Sequence, residues 1–213
     1  MKGKGKTAVF CPFIYHMILF FDTETTGFAP GKICQLSYVM QGKSGAAAKN
    51  FFFAVPYVEP GALAVHGFSP ERLAVLSGGA RFDDKIDEIE ADFSSADLAV
   101  AHNIPFDLSF LQAEFAACSR SFSCNDTYCS MRGFTPVCGL KRSDGIRPKF
   151  PKLEELCSFL ELYPYDVTRK TAELFSVYAG AHDARYDTAA LYQAMNTARG
   201  RYREIEALFA RCL

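Results

Sequence analysis

Residues 17–27, Met17-Ile18-Leu19-Phe20-Phe21-Asp22-Thr23-Glu24-Thr25-Thr26-Gly27, decide the fold. An unbroken apolar run ends in two carboxylates and a Thr-Gly turn, the pattern of a short strand buried on both faces. Side chains alternate along a strand, so Asp22 and Glu24 point to one face, roughly 7 Å apart along it. Two carboxylates placed so repel each other and lose hydration unless a cation lies between them. Two readings stand at this point: a solvated strand end, or a cation site.

The chain has 213 residues, 49% hydrophobic and 22% charged, which suits one domain with a sizeable core. The net charge of -1 announces no global basic field for nucleic acid. An enzyme that grips a short strand through metal ions needs only a local basic rim. The eight cysteines (11, 34, 118, 124, 129, 138, 157 and 212) include no C-x-x-C pair, so neither a zinc knuckle nor a disulfide framework is expected. Reduced thiols in a cytoplasmic compartment fit better. No apolar run reaches the length of a membrane span, and no membrane partner is expected. Residues 1–16 are read as an N-terminal appendage and 17–213 as the functional domain. The apolar patch 7–15 has no small-residue cleavage site and is broken by Pro12, which argues against a signal peptide and makes Met17 a candidate start.

Downstream, residues 33–40 and 50–57 read as second and third strands, with the Gly/Ser/Ala stretch 42–48 as their hairpin. Residues 65–73 read as a loop entering a helix, with Ser69 as N-cap and Pro70 at the first helical position. Phe82, Ile86, Ile89 and Phe93 recur at helical spacing, marking an amphipathic surface helix over 81–93. A short strand over 97–101 leads into a helix ending near Cys118. Asp107 lies three and four residues before Phe110 and Leu111, so it shares their apolar stripe, and a carboxylate there needs a partner. Residues 122–128 read as a fifth strand and 132–152 as an irregular segment carrying Arg132, Lys141, Arg142, Arg147, Lys149 and Lys152 against one acid, Asp144. That segment is either a basic rim for phosphates or a solvated loop with incidental charge. Helices follow over 153–162, 171–178, 184–198 and 201–211, and Asp187 falls on the inner stripe of the third of these.

Four carboxylates thus converge, two from a strand end and two from inward helix faces. All-oxygen donors suit hard cations, and Mg²⁺ or Mn²⁺ binds through a few carboxylates while water and phosphate complete the shell. Two such ions roughly 4 Å apart support phosphodiester hydrolysis. His182, five residues before Asp187, is the candidate base, since imidazole titrates near neutral pH; a solvated loop histidine is the alternative.

FDTETTG at 21–27, HNIPFD at 102–107 and HDARYD at 182–187 together resemble the three motifs of the DEDDh 3′→5′ exonucleases. That group includes the epsilon proofreading subunit of bacterial replicative polymerase, RNase T and oligoribonuclease. The resemblance spans about residues 17–198 and rests on the three motifs in combination. It implies an RNase H-like fold, an α/β arrangement with a mixed five-stranded sheet flanked by helices. It also implies Asp22, Glu24, Asp107 and Asp187 as ligands of two divalent cations, Mg²⁺ or Mn²⁺, with His182 as the general base. Thr25 and Phe106 match positions that contact the terminal nucleotide in relatives. His66-Gly67-Phe68-Ser69 resembles a loop of the family, so His66 and Phe68 either line the scissile nucleotide or pack within the loop.

The expected function is a metal-dependent 3′→5′ exonuclease releasing 5′-mononucleotides from the 3′ ends of single-stranded DNA or RNA. Its partners would be those 3′ ends, with a polymerase or repair complex left open. The competing reading is a non-catalytic binding or scaffold module that kept the fold. Retention of all the ligand residues and the histidine argues against it, because a scaffold needs none of them.

Overall fold

A computed structural model describes residues 16–213, so the expected appendage, His16 apart, lies outside the described residues. Five strands form one sheet in the order β3-β2-β1-β4-β5. They are β1 (Met17–Thr25), β2 (Ile33–Gly42), β3 (Gly45–Phe52), β4 (Leu98–Ala101) and β5 (Thr127–Cys129). β1 to β3 form an antiparallel meander, while β4 pairs parallel with β1 and β5 parallel with β4. The sheet is therefore mixed, with helices on both faces, as an RNase H-like fold requires.

The strict alternation of β1 builds two cores. Ile18 and Phe20 face one side, where they meet α6 (Leu153–Phe159), α8 (Ala184–Arg199) and α9 (Arg203–Cys212) through Leu156, Leu191, Met195 and Phe209. Leu19 and Phe21 face the other, against α3 (Ile86–Ser95) and α4 (Ile104–Ala117) through Ile89, Phe93, Phe110 and Phe115. Extending this alternation, Asp22 and Glu24 fall on the α8 side and Thr23 on the α4 side. A register shift between Glu24 and Thr25 ends the regular pairing with β2, a bulge at the rim of the site.

Several expected boundaries are corrected. The hairpin turn is only Lys43-Ser44, and the third strand runs Gly45–Phe52 instead of 50–57. Gly45 and the alanines 46–48 have weak strand propensity, and full pairing with β2 overrides it. The HGFS segment is preceded by a helix, α1 (Pro60–His66), whose Pro60 sits in the first turn and whose C-cap Gly67 has φ +72°. α2 (Pro70–Ser77) follows, with the Ser69 hydroxyl accepting from the Arg72 N–H. The fifth strand has three residues, and the first part of the supposed irregular segment is α5 (Ser130–Cys138). Its Pro136 disguised it, while buried Phe134 holds it to the core. Gly133 lets α5 pass close to Tyr128: a Cβ there would lie 2.0 Å from the Tyr128 hydroxyl oxygen and force that ring to move. α7 spans Pro164–Phe175 instead of 171–178, again opening on a proline at the first turn. Among the described residues no helix is long and apolar enough to cross a membrane.

Candidate functional site

The site lies where β1 ends. Asp22, Glu24 and Asp187 each offer a carboxylate oxygen, and these atoms lie within 4.8 Å of one another. α8 brings Asp187 from one face of the sheet. α4 brings Asp107 from the other, only 3% exposed, and fixes it through the Thr23 hydroxyl, which donates to its Oδ1 at 2.7 Å. Thr23 lies between the two strand carboxylates on the opposite pleat, so β1 touches both helices within three residues. Asp107 stands outside the tight trio, yet its charge raises the pKa of both Asp22 and Glu24.

These acids are strained electrostatically. Burial, then the charges of Asp187, Asp107, Glu24 and Asp183, push Asp22 well above the ordinary carboxylate range. Burial, then Asp187, Asp183 and Asp107, raise Glu24 to about 8. Burial lifts Asp107 to about 7 against the opposing Thr23 hydrogen bond. Asp187 also rises to about 7, chiefly by burial, although the His182 backbone N–H pulls the other way. Among the described residues no Lys or Arg forms an ion pair with any of the four. An oxygen-only cluster without a cationic side chain matches what a hard divalent cation takes as ligands.

His182 sits in the turn before α8, exposed, with φ +64°, a conformation histidine tolerates better than bulky residues. Its backbone N–H donates to Asp187 Oδ2 at 2.9 Å, fastening the turn to the cluster. The α8 N-terminus is held by residues that motif spacing did not flag. Asp183 caps the helix, accepting from the Arg185 N–H at 3.0 Å and from the Arg185 guanidinium at 2.9 and 2.6 Å. Fully buried Gln35, cross-strand partner of Glu24, donates to Asp183 Oδ1 and Asn50 Oδ1 and accepts from the Ala184 N–H. Burial alone raises Asp183, but hydrogen bonds from Arg185 and Gln35 outweigh it and hold the carboxyl below its ordinary value. An Asp just before a helical run is a legible N-cap signal. A glutamine inside an apolar strand carries no signal of its partner.

The remaining expected residues form a shell around Thr25. The Thr25 hydroxyl closes its own turn by donating to the Gly27 carbonyl at 2.8 Å. A Cβ at Gly27 would lie 2.3 Å from the Glu59 carboxylate, so a side chain there would displace Glu59. His66 Nδ1 accepts from the Phe68 N–H at 3.0 Å, so Nε2 carries the proton and donates to the Thr25 carbonyl at 3.2 Å. Burial lowers the pKa of His66, and nearby His182 lowers it further. Phe68 is 3% exposed, its ring stacked on His66 and packed against Phe52, which places it inside the protein and not on the open face of the site. Phe106 is half-buried against Phe110, next in sequence to Asp107. On the same face of α4 as Asp107, two turns on, buried Glu114 binds the Lys32 ammonium and the Ile33 N–H and so anchors the β1–β2 connection.

No protein-family model and no curated protein sequence matches the chain. Solved structures do. E. coli exonuclease I in complex with a dA16 oligonucleotide superposes with a TM-score of 0.69 at 18% identity, over 91% of this chain and 43% of that one. The zinc-ion-bound form of the E. coli exonuclease I–ssDNA complex gives 0.68 at 19% identity, over 91% and 43%. The moderately thermophilic exonuclease I of Methylocaldum szegediense gives 0.66 at 18%, with the same coverage. The chain thus shares their fold and spans less than half of their length.

Proposed function

We propose that the domain over residues 17–213 is a metal-dependent 3′→5′ exonuclease of the DEDDh type acting on single-stranded DNA. One observation carries the reading: three carboxylate oxygens within 4.8 Å, relieved by no cationic side chain, with a histidine turn fastened to one of them. The oligonucleotide and ssDNA complexes among the structures sharing this fold support single-stranded DNA as the substrate. The seven described cysteines are free thiols, in keeping with a cytoplasmic setting.

Asp22, Glu24 and Asp187 would hold one divalent cation, and Asp107 with Asp22 a second, Mg²⁺ or Mn²⁺ in either place. Such ions lower the pKa of an attacking water and steady the charge on the departing 3′-oxygen. The chain's own groups do the rest. His182 takes a proton from the water on a ring nitrogen as the new O–P bond forms and the P–O3′ bond breaks, releasing a 5′-mononucleotide. The hydrogen bond from its N–H to Asp187 keeps the base beside the ligands while the imidazole stays open to solvent. The Thr23 hydroxyl aims Asp107, and Gln35 with Asp183 sets α8 against Glu24. Thr25 and Phe106 border the terminal nucleotide, and His66 supports Thr25 from behind.

The test is incubation with 5′-labelled single-stranded DNA and RNA in Mn²⁺ or EDTA, alongside Asp22→Ala. A ladder shortening from the 3′ end, dependent on metal and lost in the variant, is expected on DNA. Absence of any ladder with Mn²⁺ would sink the reading.

A further inference from the structure

Residues 140–150 form a structured finger, and nothing in the proposed chemistry uses it. Lys141 and Pro148 pair as an antiparallel bridge, closed by hydrogen bonds from the Arg142 N–H to the Arg147 carbonyl and from the Lys149 N–H to the Leu140 carbonyl, both 2.9 Å. At the tip, Asp144 Oδ1 accepts from the Ile146 and Arg147 N–H groups, and Gly145 takes φ +69°. The finger is thus preorganised, although most of it lies in solvent.

Its composition is unlike the rest of the chain. From 141 to 152 there are five cations (Lys141, Arg142, Arg147, Lys149, Lys152) and one acid, in a protein of net charge -1. Arg147 pairs with Asp144, Lys149 with Glu155 and Lys152 with Glu154. Lys141 and Arg142 form no ion pair among the described residues. Beside them Ile146 is 77% exposed and Phe150 48% exposed. Two cations without a carboxylate partner, Arg142 Nε donating only to the Pro148 carbonyl at 3.2 Å, beside an exposed aromatic ring are a poor solution for a passive loop. The combination is what a nucleic-acid single strand recognises, phosphates on the cations and a base on the ring.

The root of the finger lies at the same end of the sheet as the acid cluster. The Pro151 carbonyl accepts from His102 Nε2 at 2.9 Å, and His102 Nδ1 takes the Ser130 hydroxyl at 2.9 Å. His102 follows Ala101, the last residue of β4, and β4 runs parallel to β1 with Val100 paired to Phe20, two residues before Asp22. Two residues past Pro151 the chain enters α6, whose Leu156 packs in one core with Leu191 of α8, the helix that carries Asp187.

We propose that this finger grips a single strand 5′ to its terminal nucleotide, with Lys141 and Arg142 on backbone phosphates and Phe150 against a base. The proposal rests on the exonuclease reading of the acid cluster, but its test does not need catalysis. Fluorescence anisotropy in EDTA would follow binding of a labelled oligothymidylate of about 20 nucleotides to the full chain, from about 50 to 200 mM salt. Lys141→Ala/Arg142→Ala should weaken binding about tenfold and flatten the log–log salt slope by about 1.4, at about 0.7 per phosphate contact on a single strand. Phe150→Ala should weaken binding about fivefold or more with the slope unchanged. Lys141, Arg142 and Phe150 are all exposed, so unchanged melting temperatures would show the variants folded. Equal affinity and equal slope in the double variant would overturn the proposal. A wild-type chain that binds through Lys141 and Arg142 but cleaves nothing with Mn²⁺ would keep the finger and reject the exonuclease reading.

Discussion

Asp183 and Asp187 stand four residues apart at the start of α8, and their surroundings treat them oppositely. Asp183 is surrounded by donors: the Arg185 guanidinium and N–H, and the Gln35 amide. Its carboxyl is held below the ordinary value in spite of burial. Asp187 receives one backbone N–H and faces Asp22 and Glu24, and its carboxyl is raised to about 7. One acid is compensated within the protein and does structural work. The other has no cationic partner among the described residues, which is what the proposed metal centre requires. The same contrast separates Glu114, bound by Lys32 and the Ile33 N–H, from Asp107 on the same helix face, which has one neutral hydroxyl as side-chain partner.

The contrast breaks most sharply at Asp187. Asp187→Asn should cut kcat with Mn²⁺ by about a thousandfold or more, since losing a ligand costs several kcal/mol of transition-state stabilisation. The same change should raise the melting temperature in EDTA, because it removes a charge from a repelling cluster. An active variant, or one destabilised without metal, would contradict the assignment. His182→Ala should leave metal binding and melting temperature in place and lower kcat by about a hundredfold to ten-thousandfold, the span of a general base. Steady-state rates beside a metal titration decide this, and an undiminished rate would assign the base elsewhere.

At Asp183 the expectation reverses. Asp183→Ala strands Arg185 and one Gln35 contact, and should cost about 2–3 kcal/mol in denaturant unfolding, with or without metal. A variant as stable as wild type would show that the knot around Asp183 is dispensable.

A pH dependence of opposite sign is expected at the two sites. Cluster carboxyls with folded pKa values near 7 to 8 bind more protons in the native state than unfolded carboxyls near 4. In EDTA, stability should therefore fall as pH rises from about 4 to about 8, and Mn²⁺ should flatten the fall. Asp183, depressed when folded, contributes stability above its unfolded pKa and loses it as the pH falls below about 4. Chemical melts across pH, with and without Mn²⁺, would show both slopes. A metal-free stability that climbs from pH 5 to 8 would refute the electrostatic account.

How far the sequence announced this molecule depended on the range of the interaction that decided each element. β1 was legible because an apolar run ending in D-T-E carries its own burial signal. Asp107 was legible because helical spacing places it on the stripe of Phe110 and Leu111. β3 was misplaced because its Gly and Ala residues favour strand weakly, and only the partner strand settles their conformation. α5 was hidden by Gly133 and Pro136, whose neighbours Tyr128 and Phe134 make the helix acceptable. α7 opens at Pro164, a start signal that the sequence itself carries. In the site, the acids and His182 stood out by type and spacing. Thr23 and Gln35 did not, since each acts through a partner 84 or 148 residues away. Phe68 matched a motif, yet its depth beneath His66 depends on the fold of α1 and its cap.

The most direct measurement is a Mn²⁺ titration of the full chain followed by electron paramagnetic resonance, beside Asp22→Ala. Two bound ions per chain are predicted for the wild type, and loss of both in the variant, since Asp22 is the carboxylate the two sites share. No bound ion at millimolar Mn²⁺, or an unchanged count in Asp22→Ala, would contradict the claim that the uncompensated acids are a metal centre.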